Sequence, residues 1–162
     1  MIEGQFVPPS AAFTRSVPVR FSHCDPAGIV FYPRYFEMFN NLVEDWHREA
    51  LQFSFTEIVT TRSWGLPTVH LEADFVAPTR FSEVLSASLS VREIGTSSVS
   101  LDILLQGPDG ADRVRGKVVL VWIDRRVTQS IPIPDEVRAR LLAFRVSDKS
   151  ATVTATRGKN KT

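Results

Sequence analysis

Two rhythms of apolar spacing run along this chain. Residues 15–22 alternate around Val17, Val19 and Phe21, the period of a strand. Beyond a turn-like Asp25-Pro26-Ala27-Gly28 the period lengthens: Tyr35, Phe36, Phe39, Leu42, Val43, Trp46 and Ala50 recur at three and four. That stripe predicts an amphipathic helix of about five turns, with Pro33 in its first turn, where a missing N–H costs nothing. The stretch from Phe53 to Gly65 has no clear period and reads as a short second helix with a loop.

Four strands are predicted next. Pro67–Val76 alternates imperfectly; Leu85, Ala87, Leu89 and Val91 alternate with Ser86, Ser88, Ser90 and Arg92, the pattern of a half-buried strand. Val99, Leu101, Ile103 and Leu105 repeat it after a turn at Gly95, and Pro108-Asp109-Gly110 marks another turn. Val114–Ile123 is almost continuously apolar, as in a central strand covered on both faces. Pro134-Asp135 signals a short closing helix to about Phe144. The order predicts an α+β domain: one strand, a long helix, then four strands in an antiparallel meander whose apolar face covers the helix. Residues 14–146 form this domain, with 1–13 expected as a flexible arm and 147–162, rich in Ser, Thr, Lys and Gly, as a flexible tail.

Composition narrows the function classes. A chain of 162 residues is one domain's worth, and a formal charge of +1 lacks the basic excess of a nucleic-acid binder. Cys24 is the single cysteine, so neither an internal disulfide nor a cysteine-rich metal site can form. No apolar run reaches the length of a membrane span. Residues 1–10 lack a basic segment followed by an apolar core, and a cytoplasmic location is the default expectation.

The chemistry concentrates in His23-Cys24-Asp25-Pro26-Ala27-Gly28-Ile29-Val30-Phe31-Tyr32-Pro33-Arg34-Tyr35-Phe36. A carboxylate at a strand end is followed by a Gly-containing loop and a helix start. The first N–H groups of a helix lack partners and carry partial positive charge, so they receive anions and developing oxyanions. A carboxylate beside them can attack a carbonyl or activate water, and acyl transfer is the reaction class that uses both parts. Asp before Pro is also a common turn residue, so Asp25 alone would read as a cap.

This segment resembles the signature of the 4-hydroxybenzoyl-CoA thioesterase family, hotdog-fold enzymes with an Asp-Pro-Ala-Gly-Ile-Val-aromatic-Tyr-Pro motif. The match is dense from Val19 to Phe36 and continues through 65–76 and 85–123 as a pattern of strands. The resemblance implies a five-stranded antiparallel sheet wrapped around the long central helix, and hydrolysis of an aryl- or acyl-CoA thioester to the acid and CoA. It implies Asp25 as nucleophile or general base, the Tyr32 backbone N–H as the oxyanion donor, and Gly28 as the loop glycine that lets backbone approach the ligand. His23, Phe31 and His70 are expected to contact substrate, His70 from a region that faces the partner's site in this family. Two protomers are expected to pair edge to edge, as a homodimer or homotetramer. No metal or redox cofactor is implied, since CoA is part of the substrate. One departure stands out: where the family carries a basic cluster for the CoA phosphates, this chain reads Gly95-Thr96-Ser97-Ser98, which leaves Arg62, Arg80, Arg92 and Lys117 as substitutes.

Other candidates have plainer readings. Cys24 neighbours Asp25 on a strand and points to the opposite face. Another thioesterase branch of this fold uses a helix glutamate, and Glu37 is the nearest here. His47 is expected at the surface. A non-catalytic acyl-CoA-binding hotdog module and a hotdog hydratase or dehydratase are the alternatives; the short Asp, Asn-Pro and His run of the latter is not found.

Overall fold

A computed structural model of the chain describes residues 11–146. The arm expected over 1–13 lies largely outside the described residues, as does the whole of the tail expected over 147–162; Phe13 already opens the first strand. In chain order the elements are β1 (Phe13–Pro18), a 3-10 turn (Phe21–His23), α1 (Pro33–Glu49), a π-type turn (Glu57–Thr61), β2 (Trp64–Gly65), β3 (Thr68–Phe75), β4 (Val84–Ile94), β5 (Ser98–Gln106), β6 (Asp112–Val121), β7 (Ile123–Asp124), β8 (Gln129–Ser130) and α2 (Asp135–Leu141). No helix among the described residues is long and apolar enough to cross a membrane.

The α+β class and the five-stranded antiparallel sheet expected from the pattern are present, with strand order β1-β4-β5-β6-β3. A smaller sheet joins β2, β7 and β8. Residues opposite one another form continuous rows. One row crosses the large sheet as Phe13, Leu89, Ile103, Gly116 and Ala73. The buried stripe of α1, including Tyr35, Phe39, Leu42, Val43 and Trp46, joins the core formed by this inner face. The Phe39 ring lies directly over Gly116 in that row.

The outer face is ionic. Glu72 of β3 stands opposite Lys117 of β6, and Lys117 opposite Asp102 of β5. Arg92 of β4 donates its Nε–H to both oxygens of Asp102 at 2.9 Å.

Four expectations are corrected. The four later strands are not one meander: β4, β5 and β6 are, but β3 pairs with β6 at the far edge. Residues 76–83 must therefore carry the chain across the fold to β4. The first strand stops at Pro18, and Phe21 lies in the 3-10 turn, 81% exposed. Pro18 has no N–H with which to continue the ladder. Ser88 and Ser90, read as a wet face, are buried, because their short side chains sit between longer neighbours such as Leu104 and Asp102 on β5. His47 is fully buried instead of at the surface, packed against Phe55 and Trp122, whose segments close over the end of α1.

Candidate active site

The segment after β1 folds into a narrow ribbon beside the main sheet. The Asp25 carbonyl accepts the Gly28 N–H at 3.0 Å, and the Asp25 N–H donates to the Ile29 carbonyl at 3.0 Å. Gly28 has φ +77°, a left-handed conformation that closes this tight hairpin at no steric cost to glycine. Cys24 then stands opposite Val30, and the Phe31 N–H reaches the His23 carbonyl at 2.9 Å.

A third extended run comes from the 76–83 connection. Ile29 stands opposite Arg80, the Val30 N–H donates to the Thr79 carbonyl at 2.9 Å, and the Phe81 N–H donates to the Gly28 carbonyl at 3.1 Å. The alternation of extended backbone sorts the side chains. Cys24, Val30 and Thr79 share one face, where Val30 and Thr79 are buried. Asp25, Ile29 and Arg80 share the other.

Both ends of 76–83 are tied to one residue. The Arg113 carbonyl accepts the N–H groups of Val76 at 2.8 Å and Ala77 at 3.2 Å. Its buried guanidinium donates to Glu83 at 3.3 Å and lies 3.1 Å from Asp109. A Cβ on Gly107 would sit 2.2 Å from that guanidinium, so any side chain there would displace it.

Asp25 is partly exposed. Its Oδ1 accepts the Ala27 N–H at 2.9 Å, so it does cap the turn. Among the described residues its second oxygen has no hydrogen-bond partner. Next in line is the start of α1. The Arg34 and Tyr35 N–H groups donate to the carbonyls of Phe31 and Tyr32, and Pro33 has none to offer. Among the described residues the Tyr32 N–H donates to no acceptor, and no side chain caps this helix. An unpartnered helical amide is thereby placed a few residues from a carboxylate.

The ring of Tyr32 is half exposed and belongs to an aromatic cluster. Its centroid lies 5.5 Å from Phe31, 6.3 Å from Phe36 and 6.2 Å from Phe75, all edge to face. Phe75, at the end of β3, escaped the sequence reading. Its signal was an aromatic at a strand end just before Ala77-Pro78, but nothing local links it to Tyr32. A small apolar cavity of about 60 Å³ opens between α1 and β3, lined by Phe36, Phe39, Leu71 and Val118 among others.

His23 accepts the Arg20 N–H on Nδ1 at 3.0 Å, which leaves the proton on Nε2. Burial, then the Arg20 and Arg34 guanidiniums, hold its pKa below the usual imidazole value. It lines a separate polar cleft of about 190 Å³ between β1 and α1, with Arg20, Arg34, Glu37 and Asp45. Glu37 is ion-paired to Arg34 at 2.7 Å. Burial and the neighbouring Asp25 push the Cys24 thiol up, away from thiolate chemistry.

Of the residues singled out from the sequence, His23, Asp25, Gly28, Phe31 and Tyr32 are gathered on the ribbon and the helix start. His70 is not among them. It sits on the outer face of β3, exposed, with Nε2 2.6 Å from Glu72. The substitutes for the missing basic cluster are likewise dispersed. At the 95–98 hairpin itself, Arg138 of α2 donates to the carbonyls of Gly95 and Thr96 at 2.6 and 3.2 Å.

The chain as a whole is similar to known proteins. The model of the thioesterase-like superfamily matches residues 19–141. The chain is 23% identical over 125 residues to a 1,4-dihydroxy-2-naphthoyl-CoA hydrolase of Synechocystis sp., covering 75% of this chain and 90% of that protein. It is 27% identical over 128 residues to the protein of the same name from Nostoc punctiforme, covering 78% and 84%. The solved structure of a gentisyl-coenzyme A thioesterase superposes with a TM-score of 0.71 at 28% identity, covering 78% of this chain and 99% of that one.

Proposed function

This chain belongs to the thioesterase-like superfamily, and on that premise we propose that it hydrolyses an acyl-CoA thioester to the free acid and CoA, with Asp25 as the reacting carboxylate. The observation that carries the reading is the pairing of a carboxylate oxygen left without a partner and the unpartnered Tyr32 N–H at the start of α1. The N–H polarises the thioester carbonyl and takes up the negative charge that develops on its oxygen. Asp25 then acts in one of two ways. As nucleophile it bonds to the carbonyl carbon, the C–S bond breaks, the CoA sulfur takes a proton from solvent, and water opens the resulting anhydride. As general base it takes the proton of a water that attacks the same carbon directly, the C–S bond breaks, and the CoA sulfur takes up a proton. Gly28 sets the turn that aims Asp25. The reading needs no metal or redox cofactor.

The aromatic cluster supports an aryl acyl group, with Phe31, Phe36 and Phe75 as walls around Tyr32. A hotdog arrangement also gives β3 a purpose. Among the described residues its outer edge is unpaired, and Val69, Leu71 and Phe75 are exposed along it. A long apolar edge is a template for pairing, and a second copy joining there would close the site as a homodimer, or as half of a homotetramer.

The test is release of free thiol from a panel of aryl and short aliphatic CoA thioesters. Asp25→Asn is expected to lower kcat by about 10²–10⁴-fold while keeping the wild-type melting curve. Wild-type rates from that variant on every cleaved thioester would sink the assignment. After a single turnover in ¹⁸O-water, label in the Asp25 carboxylate identifies it as the nucleophile, because general-base hydrolysis labels the product acid alone.

A further inference from the structure

Four basic residues stand as substitutes for the missing phosphate-binding cluster, and their surroundings differ. Arg62 is ion-paired to Glu57 and Glu136 and stacked on Trp64. Arg92 is held by both oxygens of Asp102, and Lys117 stands between Glu72 and Asp102, all on the outer face of the sheet. Arg80 is exposed, and among the described residues its guanidinium makes no hydrogen bond or ion pair. It is opposite Ile29, and Ile29 is bonded to Asp25 across the hairpin. Asp25, Ile29 and Arg80 therefore form one row on one face of the ribbon, the outer two roughly 10 Å apart at two strand spacings. Arg20 is a poorer receptor, since the cleft it lines is shared with the carboxylates of Glu37 and Asp45.

We propose that Arg80 binds a phosphate group at the nucleotide end of the CoA thioester. This rests on the thioesterase reading and adds to it the residue that recognises the carrier instead of the acyl group. A guanidinium with all its donors free matches a phosphate bidentately, and binding it costs no broken ion pair. The third run of the ribbon holds the Arg80 backbone at a fixed offset from the Asp25 backbone.

The experiment compares one acyl group carried on CoA and on N-acetylcysteamine, which has no phosphate. Arg80→Ala is expected to lower the ratio of kcat/KM on CoA to kcat/KM on N-acetylcysteamine about tenfold or more. Arg80→Lys should restore part of that ratio, and Arg92→Ala, on the outer face, should leave it at the wild-type value. A wild-type ratio in Arg80→Ala, or a loss equalled by Arg92→Ala, overturns the proposal. Arg80→Gln, which keeps a polar side chain on the same backbone, serves if the alanine variant misfolds. Calorimetric titration with free CoA reads the contact without catalysis: Kd should rise about tenfold in Arg80→Ala. A rise in Kd without thioester cleavage by the wild type would sink the thioesterase reading and keep the Arg80 contact; an unchanged Kd, or no CoA binding by the wild type, overturns the contact itself.

Discussion

The Nδ1 of His47 lies 2.9 Å from the carbonyl oxygen of Val43, one turn earlier on the buried face of α1. A carbonyl only accepts, so Nδ1 carries the proton, and among the described residues the buried Nε2 has no partner. Burial lowers the pKa of this imidazole from 6.5 to about 4, outweighing the Val43 bond. The unfolded chain therefore binds a proton in a range where the folded one does not. Stability should be level above pH 6.5 and fall as pH drops from 6.5 to about 4. The loss at the lower end is roughly 3 kcal/mol by the size of the gap. Urea melts across that range measure it, and His47→Phe should flatten the slope; an unchanged slope would show that other groups cause it.

Gly28→Ala isolates the turn. At φ +77° an added Cβ meets nothing within 4 Å, so the cost is backbone conformation alone. It should be about 1 kcal/mol, with Tm down by about 2–4 °C and kcat reduced as Asp25 is re-aimed. Gly28→Asn should cost less, because Asn tolerates this region. Equal losses for the two variants would contradict a conformational cause.

Arg113→Met removes a buried guanidinium and strands Glu83. A loss of about 3 kcal/mol is expected. Since the guanidinium fastens the Glu83 end of 76–83 while the backbone carbonyl keeps the other, amide exchange at Val30 and Phe81 should quicken more than at Leu89 in the centre of the sheet. Uniform quickening would reduce Arg113 to a general stabiliser.

Phe75→Ala tests the aromatic wall. The ring is half exposed, so the fold should lose little. KM for aryl thioesters should rise about three- to tenfold relative to short aliphatic ones. A parallel rise for both classes would mean that Phe75 does not sort acyl groups.

The parts that were legible in sequence are those whose partners are close in the chain. The stripe from Tyr35 to Ala50 is unbroken and gave α1; Leu85 to Val91 and Val99 to Leu105 alternate because each strand buries one face against that helix. The Asp25–Gly28 turn was readable from its own four residues. The place of β3 was not. Its pairing with β6 is a choice made some forty residues away, and its sparse burial leaves only a faint alternation. His47 carried a readable signal, since it sits four residues after Val43 on the apolar stripe, but a polar residue type masked it. Phe75, Arg113 and the face shared by Asp25 and Arg80 depend on where the 76–83 connection lands, which no local pattern encodes.

The hairpin that bears Asp25 hangs from Thr79 and Phe81 of the 76–83 connection by backbone hydrogen bonds and sends no strand into the large sheet. The ribbon's inward face, with Val30 and Thr79, belongs to the core, and its outward face, with Asp25 and Arg80, does not. Selection can revise the side chains on the ribbon's outward face without repacking the interior, which makes this corner of the molecule the natural starting point for directed evolution toward new carriers or acids.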